Sequence, residues 1–349
     1  MMEDTADLVT LERRLSTNII RPPYSALNTT LPLRRAEHFN FTANTTIQSY
    51  IKLHKCIYQK GLEIRPTVHP FLTGGNFPPE VEDRIMSLYK MKNDSNIISH
   101  NSSPCATGTG RDIIRGSSIT LVKKALWQYL LAAAPGYCYV LLDCICQEPT
   151  ICAHLANDTE LQNTCQRGDL YLQIGKHPTL TGLGRKALKS LVNPYLYGQQ
   201  PQAYSKAHGI PLPAAQRYWV TLREIFQPID DELNRRSQRA FRDGFVRSLD
   251  WAARVSPLSN PLAVRNFPVQ SAGSDILRRA VIGLYKAGLD LRLTVHDSFL
   301  IRVPIAEQGQ QVDKAISVIK QASALVLGGF ELGVKIDGVF NGQVSGEMM

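Results

Sequence analysis

Two apolar runs of β-favouring residues, far apart in the chain, each end in an aspartate. The first is "YCYVLLD", which ends in Asp143; the second is "LRLTVHD", which ends in Asp297 and turns back at once through "SFLIRV". Strands that are apolar along their whole length are buried on both faces and lie inside a sheet. We therefore expect a strand over 137–143 and a strand–turn–strand over 291–303, with an aspartate at the end of each apolar run.

The chain around these strands reads mostly as helix. Apolar residues at helical spacing predict helices over 121–134, 148–156, from about 184, 212–247, 271–287 and 308–326, and a short strand "ELGVKID" follows the last of them. Helices inserted between distant strands of one sheet indicate an α+β fold. Residues 1 to about 105 are the least informative. They contain a first helix, a connector rich in Pro, Asn and Thr ("PPYSALNTTLP") and a helix in "PPEVEDRIMSLYKM".

The composition narrows the range of partners and compartments. With 349 residues, 44% of them hydrophobic, the chain can bury a large core. The net charge of +9 favours an acidic partner, of which nucleic acid is the commonest, although a merely basic soluble enzyme has the same charge. The start, "MMEDTADLVTLERRL", lacks the apolar core of a signal peptide, and Pro135-Gly136 divides the apolar stretch 125–142. We expect a soluble chain that is neither secreted nor inserted in a membrane.

The seven cysteines do not form a disulfide framework, since their number is odd, and they are typical of a reducing compartment. Four of them are close in sequence: Cys138, Cys144, Cys146 and Cys152. The chain has no CxxC motif, and Cys144 and Cys146 would share one face of a strand. Small buried side chains are therefore a better interpretation than zinc ligands.

Asp143 and Asp297 form a pair that a basic chain tolerates best with cations present. Two carboxylates close together raise the pKa of one of them unless a cation compensates the charge. Mg²⁺ prefers such oxygen ligands, and a pair of ions would clamp the attacking and leaving oxygens of a phosphoryl transfer. Taken singly, Asp143 also reads as a helix N-cap and Asp297 as a hairpin-turn residue. The bare "HD" also occurs in metal phosphohydrolases, but further histidines at ligand spacing are missing.

A basic helix in "GRKALKSLVNPYLYG" offers a site for a polyphosphate. Arg185 and Lys189 lie one turn apart on one face, and Tyr197 follows where the helix ends. Two aligned cations and a terminal aromatic ring suit a triphosphate with a base or sugar at its end. The alternative is an ordinary solvated basic face. Pro194 is expected to bend this helix.

Three segments in order resemble the motifs A, B and C of the family A DNA polymerases and the related single-subunit RNA polymerases: "DCICQEPTICAHL", "RKALKSLVNPYLYG" and "TVHDSF". The "TGR" at 109–111 is similar to a primer-binding segment of that family, and "RNFPVQSAGSDILRRA" is similar to the helix before motif C. The resemblance covers about 105 to 340. The "QEP" form of motif A is most similar to the polymerases of phage and plasmid replicons.

This resemblance implies a right-hand fold with an antiparallel-sheet palm, helical fingers and a reduced helical thumb. It implies a thumb-like N-terminal region over 1–105, palm over 106–180, fingers over 181–260 and palm again over 261–349. The implied function is template-directed addition of dNTPs to a primer 3′ end, without a 3′–5′ exonuclease domain. The implied partners are a primed nucleic-acid template, dNTPs and a processivity or replisome partner, in the cytoplasm or the host compartment that holds the nucleic acid.

The family also implies a role for each matched residue. Asp143 and Asp297 would hold two Mg²⁺ ions, for which Mn²⁺ could substitute, with the backbone carbonyl of Cys144 as a further ligand. Arg185 and Lys189 would bind the incoming triphosphate, and Lys189 would protonate the leaving pyrophosphate. The remaining matches are Tyr197 beside the nascent base pair, Glu148 against the sugar 2′ position, Arg111, Asn266 and Gln270 on primer or template, and His296 at the primer terminus.

Three positions depart from the family pattern, and one of them is Thr150, where many members have an arginine. Ser298 stands where the DNA polymerases usually have a second acid, which is the RNA-polymerase-like form of motif C. Asn193 replaces an aromatic residue of motif B. Glu148 favours deoxynucleotides, because the RNA enzymes have a small residue there, although a surface glutamate at a helix N-terminus is equally ordinary. The alternatives are therefore a single-subunit RNA polymerase or primase-like enzyme, and an inactive DNA-binding replication factor that retains only the fold.

Overall fold

A computed structural model describes residues 34–35 and 44–342 of the chain. The first helix and the Pro-rich connector that the sequence predicts near the N-terminus lie outside the described residues. The described residues form ten α-helices and eleven strands. The helices are α1 (Thr45–Lys60), α2 (Pro79–Lys90), α3 (Gln147–Leu155), α4 (Thr159–Arg167), α5 (Leu170–Ile174), α6 (Arg185–Leu196), α7 (Pro201–His208), α8 (Leu212–Asp243), α9 (Pro261–Lys286) and α10 (Gln308–Val326).

The strands belong to four antiparallel sheets, of which the largest has four strands. They are β1 (Arg34–Arg35), β2 (Leu62–Glu63), β3 (Ile97–Ile98), β4 (Asn101–Ser103), β5 (Ile113–Arg115), β6 (Tyr137–Cys144), β7 (Phe245–Arg247), β8 (Ala252–Arg254), β9 (Asp290–Val295), β10 (Ser298–Pro304) and β11 (Val334–Phe340). The four-stranded central sheet has the order β11-β6-β10-β9, and the small sheets pair β1-β8-β7, β2-β3 and β4-β5.

The central sheet forms because its two middle strands are apolar on both faces. Val140, Leu141 and Leu142 of β6 are buried, as are Leu300 and Ile301 of β10. Helix α9 packs against β9 and against α1, α3, α8 and α10, and α10 also contacts β10 and β11. Burial of these side chains supplies the main driving force for the fold. The chain is thus α+β, as its sequence predicts.

The predicted strands and most predicted helices are confirmed, but the helix expected over 121–134 is wrong. That segment contains only a short 3₁₀ helix over Lys124–Tyr129. The backbone after it forms hydrogen bonds with a distant segment instead of helical ones. The amide of Ala132 donates to the carbonyl of Glu63, and Leu131 forms a β-bridge with Ile64. Pairing with a distant segment therefore overrides the local helical pattern.

Helix α9 begins ten residues earlier than predicted. The side chain of Asn260 caps it by accepting hydrogen bonds from the amides of Leu262 and Ala263, and Pro261 occupies the first turn. The helix then continues through Pro268. Helix α8 is kinked at Phe226, two residues before Pro228, as expected where a proline removes a backbone donor. Among the described residues, no helix is long and apolar enough to cross a membrane.

Candidate active site

Asp143 and Asp297, here called the sheet-edge pair, lie side by side at one end of the central sheet. Asp143 is the penultimate residue of β6 and pairs in register with Ser298, the first residue of β10. Asp297 occupies the two-residue loop between β9 and β10, and the amide of Cys144 donates to its carbonyl at 3.2 Å. His296, the other loop residue, has a φ of 55°. The hairpin thus brings the second aspartate to the end of the strand that carries the first.

The electrostatics of the sheet-edge pair favour cations. The pKa of Asp297 is raised to about 6, first by burial and then by the negative charges of Asp143 and Glu148, while Lys189 acts in the opposite direction. Both oxygens of Asp143 have a partner. The hydroxyl of Ser298 donates to Oδ1 at 2.5 Å, and the Nζ of Lys335 lies 3.7 Å from Oδ2. A second carboxylate beside an ionised one is unfavourable without a compensating cation.

The donor set at this edge fits Mg²⁺ better than zinc. It consists of the oxygens of two carboxylates. The described residues contain no cluster of three or more His, Cys, Asp or Glu side chains that could enclose a metal ion. Mg²⁺ is commonly held by one or two carboxylates, with water and substrate phosphates completing its shell. The two aspartates are therefore sufficient protein ligands for it.

The cysteines behave as small apolar side chains. Cys138, Cys144 and Cys152 are buried, and all three are free thiols. Burial raises the pKa of the Cys152 thiol to about 12, so it stays protonated. Cys146 is outside β6, at the start of α3 with a φ of 48°. The expectation that Cys144 and Cys146 share a strand face was wrong, whereas their interpretation as packing residues agrees with the structure.

Arg185 and Lys189 lie on the exposed side of α6, one turn apart. Arg185 forms an ion pair with Asp169 and lies over the ring of Tyr171, 5.4 Å from its centroid. Asp169 caps α5 by accepting from the amides of Tyr171 and Leu172. Burial alone would raise the pKa of Asp169, but the hydrogen bonds from Arg185 and from the two amides lower it. Arg185 is thus held in place on an exposed surface, as a binding cation needs to be.

The C-terminal end of α6 is fixed by α9. A guanidinium nitrogen of Arg265 donates to the carbonyl of Leu196 at 2.6 Å, and the Asn266 amide donates to the carbonyl of Tyr197 at 3.0 Å. These bonds satisfy carbonyls that a helix end leaves without partners. Asn193, the unusual motif B residue, accepts a hydrogen bond from the Tyr171 hydroxyl at 3.0 Å. Helix α6 continues past Pro194 to Leu196.

Glu148, Arg111 and Tyr197 meet beside this helix end. An Nη of Arg111 lies 2.6 Å from Glu148 Oε1. The pKa of Tyr197 is raised by burial first, and then by the charge of Glu148 and a hydrogen bond with it. A small pocket lies here, lined by Glu148, Pro149, Cys152, Asn193, Leu196, Tyr197, Asn266 and Val269. The structure therefore brings three sequence-predicted residues from three distant segments, Glu148, Tyr197 and Asn266, around one pocket, and Arg111 contacts the first of them.

The loop that presents Arg111 is held from below by buried groups. Its Gly110 has a φ of 75°, and a Cβ there would lie 2.9 Å from the ring of Trp251. The indole of Trp251 donates to the carbonyl of Gly108 at 3.0 Å, and Arg278 donates to the carbonyl of Gly110 at 2.8 Å. Only glycine combines this conformation with so close an approach. The loop is therefore a rigid platform for Arg111.

Two predicted residues stand apart from these contacts. His296 is exposed at the tip of the hairpin, and Gln270 is half-buried on α9, one turn beyond Asn266. Two site residues were missed by the sequence. Asp169 belongs to a "GD" pair whose role as a partner of Arg185 has no local signature. Lys335 reaches Asp143 only because β11 pairs with β6.

Comparisons with known proteins agree with this geometry. A family model described as DNA polymerase family A matches residues 91–337. The DNA polymerase of Mycobacterium phage L5 is 24% identical over 209 residues, and that of Mycobacterium phage D29 is 24% identical over 213 residues. Each match covers 58% of this chain and 35% of the relative, so the chain spans about a third of the length of these curated relatives.

A solved structure, the POL domain of Pol1 from M. smegmatis in complex with DNA primer-template and dNTP, has a similar fold. The TM-score is 0.65 at 19% sequence identity, and the match covers 75% of this chain and 51% of that one. At this identity the likeness establishes the fold alone. The fold is that of a polymerase domain, as the sequence motifs predict.

Proposed function

The chain belongs to DNA polymerase family A, and from this premise we propose that it performs template-directed DNA synthesis, adding dNTPs to the 3′ end of a primer. The observation that carries the proposal is the sheet-edge pair: Asp143 and Asp297 lie together within the matched residues, at the end of a buried strand and in the adjoining hairpin. A carboxylate pair held by a rigid sheet and left open to a basic surface is suited to phosphoryl transfer.

We propose that Asp143, Asp297 and the carbonyl of Cys144 hold two Mg²⁺ ions. The chemistry that bound Mg²⁺ would supply is a lower pKa for the primer hydroxyl and compensation of the charge on the leaving pyrophosphate. Asp297 binds a cation only when it is ionised; burial and the charge of Asp143 raise its pKa to about 6, and a nearby cation would favour the ionised form. The two-ion count rests on the family resemblance.

The basic face of α6 is proposed to bind the triphosphate of the incoming nucleotide. Arg185 has a planar guanidinium suited to phosphate oxygens, and its pairing with Asp169 and Tyr171 fixes its direction. Lys189 is exposed one turn further along, and its charge already acts on Asp297. A cation beside both the carboxylates and the triphosphate is placed to give a proton to the leaving pyrophosphate.

Sugar selection is proposed for Glu148. It is fixed by Arg111 on one side and by Tyr197 on the other, at the rim of the pocket. A side chain held so firmly would resist displacement by a 2′-hydroxyl, and deoxynucleotides would be preferred. Tyr197, at the end of α6, would pack beside the nascent base pair.

Primer and template contacts are proposed for Arg111, Asn266, Gln270 and His296. The net charge of +9 supports an extended contact with phosphates. Asn266 already uses its amide to hold the end of α6, so its proposed contact with nucleic acid would be made by the oxygen of the side chain or through Tyr197. A processivity partner is proposed as well, since a reduced thumb gives little grip on the duplex.

The division into a thumb-like region over 1–105, palm over 106–180 and 261–349, and fingers over 181–260 is likewise a proposal. For the described residues we propose no 3′–5′ exonuclease site. Incubation of the chain with a 3′-mismatched, labelled primer and Mg²⁺, without dNTPs, tests this. Shortening of the primer that persists in the Asp143→Ala variant would contradict the proposal.

Primer extension is the experiment that tests the function. The chain is incubated with a labelled primer on a DNA template and dNTPs, with Mg²⁺ or with chelator. Extension is expected only with Mg²⁺, and Asp143→Ala should abolish it while DNA binding stays near wild type. Asp313→Ala, which removes an exposed carboxylate from α10, is the matched control and should extend normally. Binding of the primer–template without any extension by wild type would favour an inactive replication factor.

The second candidate is RNA synthesis, and the observation that favours it is Ser298. In this chain the serine hydroxyl is a partner of Asp143, in the position of a second acid. A primer-free reaction with rNTPs on a single-stranded template separates the two activities. Products in that reaction, without extension in the dNTP reaction, would replace DNA synthesis by a primase-like function.

A further inference from the structure

Lys335 lies directly opposite Asp143 in the central sheet. The two residues are register partners between β11 and β6, and the Nζ of Lys335 is 3.7 Å from Asp143 Oδ2. The same ammonium is 3.0 Å from Asp337 Oδ1, and Asp337 also pairs with Lys124. The order along this chain of charges is Asp143, Lys335, Asp337, Lys124. It connects the sheet-edge pair to an exposed surface.

Lys335 is a permanent cation at this position. Burial would lower its pKa, but the hydrogen bond and charge of Asp337 and the charge of Asp143 raise it above the usual value. Its side chain is 44% exposed, so neighbouring side chains do not enclose it at Asp143. Asp337 provides a second partner on the same strand, and Lys335 can therefore leave Asp143 without losing its ion pairing.

Both oxygens of Asp143 have a partner within the chain. Ser298 occupies Oδ1 and Lys335 approaches Oδ2. The lysine compensates the negative charge of Asp143, which would otherwise repel that of Asp297. A divalent cation that binds Asp143 is repelled by the ammonium of Lys335, which lies beside the same carboxylate. Lysine and metal ion therefore compete for the same carboxylate oxygen.

We propose that Lys335 is a positioning residue that takes the place of a divalent cation on Asp143 in the metal-free protein and must be displaced from Oδ2 before the metal binds. Lys335 thereby sets the metal concentration that the chain requires. This inference rests on the proposed function, because it assumes that Asp143 is a metal ligand. A purely structural cross-strand ion pair would stabilise β11 and leave metal affinity unchanged.

Metal binding to the full chain tests the inference without any turnover. Mn²⁺ is titrated into the protein, and the free ion is counted by electron paramagnetic resonance. Lys335→Met is expected to bind Mn²⁺ about two- to fivefold more tightly than wild type, the range that the loss of one half-exposed ion pair allows. The Mg²⁺ concentration for half-maximal primer extension should fall by the same factor. Lys335→Arg retains the charge and should stay near wild type in both measurements.

Lys124→Met is the matched control. It removes an equal charge from the same chain of ion pairs, from a side chain of similar exposure (49%), but without contact to Asp143. It should change Mn²⁺ affinity less than Lys335→Met does. Equal tightening in both variants, or unchanged or weaker binding in Lys335→Met, would overturn the proposal. Circular dichroism of each variant verifies that it is folded.

Asp143→Asn separates this inference from the proposed function. It should lose Mn²⁺ binding, and the Lys335→Met substitution in that background should then have no effect. Mn²⁺ affinity like that of wild type in Asp143→Asn would contradict the metal-ligand assignment itself. Loss of binding in Asp143→Asn together with unchanged binding in Lys335→Met would contradict only the role of Lys335.

Discussion

Asp143 and Asp297 at the edge of the sheet can be compared with Asp250, which precedes β8, and Asp275, which lies on α9. The latter two are paired with Arg279 and Arg278, and these four residues are here called the α9 network. Asp275 and Arg278 are wholly buried, and Asp250 is 4% exposed. In the α9 network each carboxylate has its own guanidinium. In the sheet-edge pair, two carboxylates share one flexible lysine, one hydroxyl and the more distant charge of Lys189.

In the α9 network, groups of the protein itself donate the hydrogen bonds to the carboxylates. Asp275 accepts from the amide of Leu249 at 2.9 Å as well as from Arg278, and Arg278 extends to the carbonyl of Gly110 at 2.8 Å. Burial still raises the pKa of Asp275, although the charge of Arg278 lowers it. All of these donors belong to the chain and none can leave. This cluster ties the loop of Arg111 to α9 and is structural.

The two regions differ in whether the protein itself supplies a cation for each carboxylate. A buried carboxylate without a cation of its own is costly, so a folded protein normally supplies one. The α9 network follows this rule and the sheet-edge pair does not. Burial first, and then the negative charge of Asp143, raise the pKa of Asp297 to about 6. A metal ion can compensate the negative charge that the fold leaves without a cation of its own at the edge of the central sheet.

The largest expected effect comes from Asp297→Asn. Primer extension should fall by about a thousandfold or more, because a charged contact to the reacting groups is lost, while the free energy of unfolding stays equal to or above that of wild type. The stability is retained because the substitution removes repulsion with Asp143. The rate of primer extension measures the activity, and urea unfolding of the same preparation measures the free energy of unfolding.

Loss of both activity and several kcal/mol of stability in Asp297→Asn would contradict this expectation. That outcome would mean that the edge carboxylate is a structural partner, as Asp275 is. Asp313→Asn, on the exposed surface of α10, is the matched control and should change stability by less than about 0.5 kcal/mol.

The opposite pattern is expected for Asp275→Asn. Removing one member of a buried ion pair leaves the other charge without a partner, which costs about 3–5 kcal/mol. Urea unfolding should measure this loss. Protein that remains folded should still bind Mn²⁺, because the sheet-edge pair is intact. A loss of less than about 1 kcal/mol would show that Arg278 finds other partners and that the α9 network is not closed.

Much of the fold could be predicted from the sequence because its signals are local. Prediction of the strand over 137–143 and of the hairpin around 296–297 required only the pattern of apolar residues. Prediction of α6 and α10 required only apolar residues at helical spacing. The adjacency of Asp143 and Asp297 then follows from the pairing of two central strands. The sequence alone is therefore sufficient to predict this part of the site.

The rest depends on contacts between distant segments. The stretch 124–129 has the composition of an α-helix, but the residues after it pair with 63–64, over sixty positions away. Lys335 has no motif, and its contact with Asp143 follows only from the register of β11 on β6. Asp169 likewise gains its importance from Arg185. Long-range pairing decides these positions, and no local pattern encodes it.

The pH dependence of stability should distinguish the two regions next. The folded, metal-free protein holds the pKa of Asp297 at about 6, above its ordinary value of 3.8. A raised carboxylate pKa means that the stability present at low pH is lost as the pH rises through about 4 to 6. The loss is at most about 3 kcal/mol. Wild type and Asp297→Asn should therefore be similarly stable near pH 4 and differ most above pH 6.

The difference between the two proteins is the quantity to measure, because other groups titrate too. Burial lowers the pKa of His100 to about 4, and this histidine causes a loss of stability as the pH falls from about 6.5. This change of stability with pH has the opposite sign to the change caused by Asp297. It is the same in wild type and in Asp297→Asn, so it cancels in the difference. Added Mg²⁺ should narrow the gap above pH 6. A gap that is constant from pH 4 to 7 would mean that the pKa of Asp297 is not raised.

Glu148 is intermediate between the two regions, since it has its own arginine but stays partly exposed. Its side chain is 26% exposed and lies 2.6 Å from Arg111. Glu148→Ala should raise the ratio of ribonucleotide to deoxynucleotide incorporation by about tenfold or more, the usual effect of removing one steric contact. It should cost about 1 kcal/mol of stability or less. Glu148→Gln retains the volume and is the control; an unchanged ratio in Glu148→Ala would exclude Glu148 from sugar selection.

The smallest expected effect comes from Ser298→Ala, which removes the fixed donor on Asp143. One hydrogen bond to a carboxylate contributes about 1–3 kcal/mol, and Asp143 is 18% exposed, so water can replace part of it. Extension should fall by no more than about tenfold, and stability should change by about 1 kcal/mol or less. Primer extension and urea unfolding measure both. A loss as large as that of Asp297→Asn would mean that Ser298, and not a metal ion, orients Asp143, and that the sheet-edge pair depends on fixed donors just as the α9 network does.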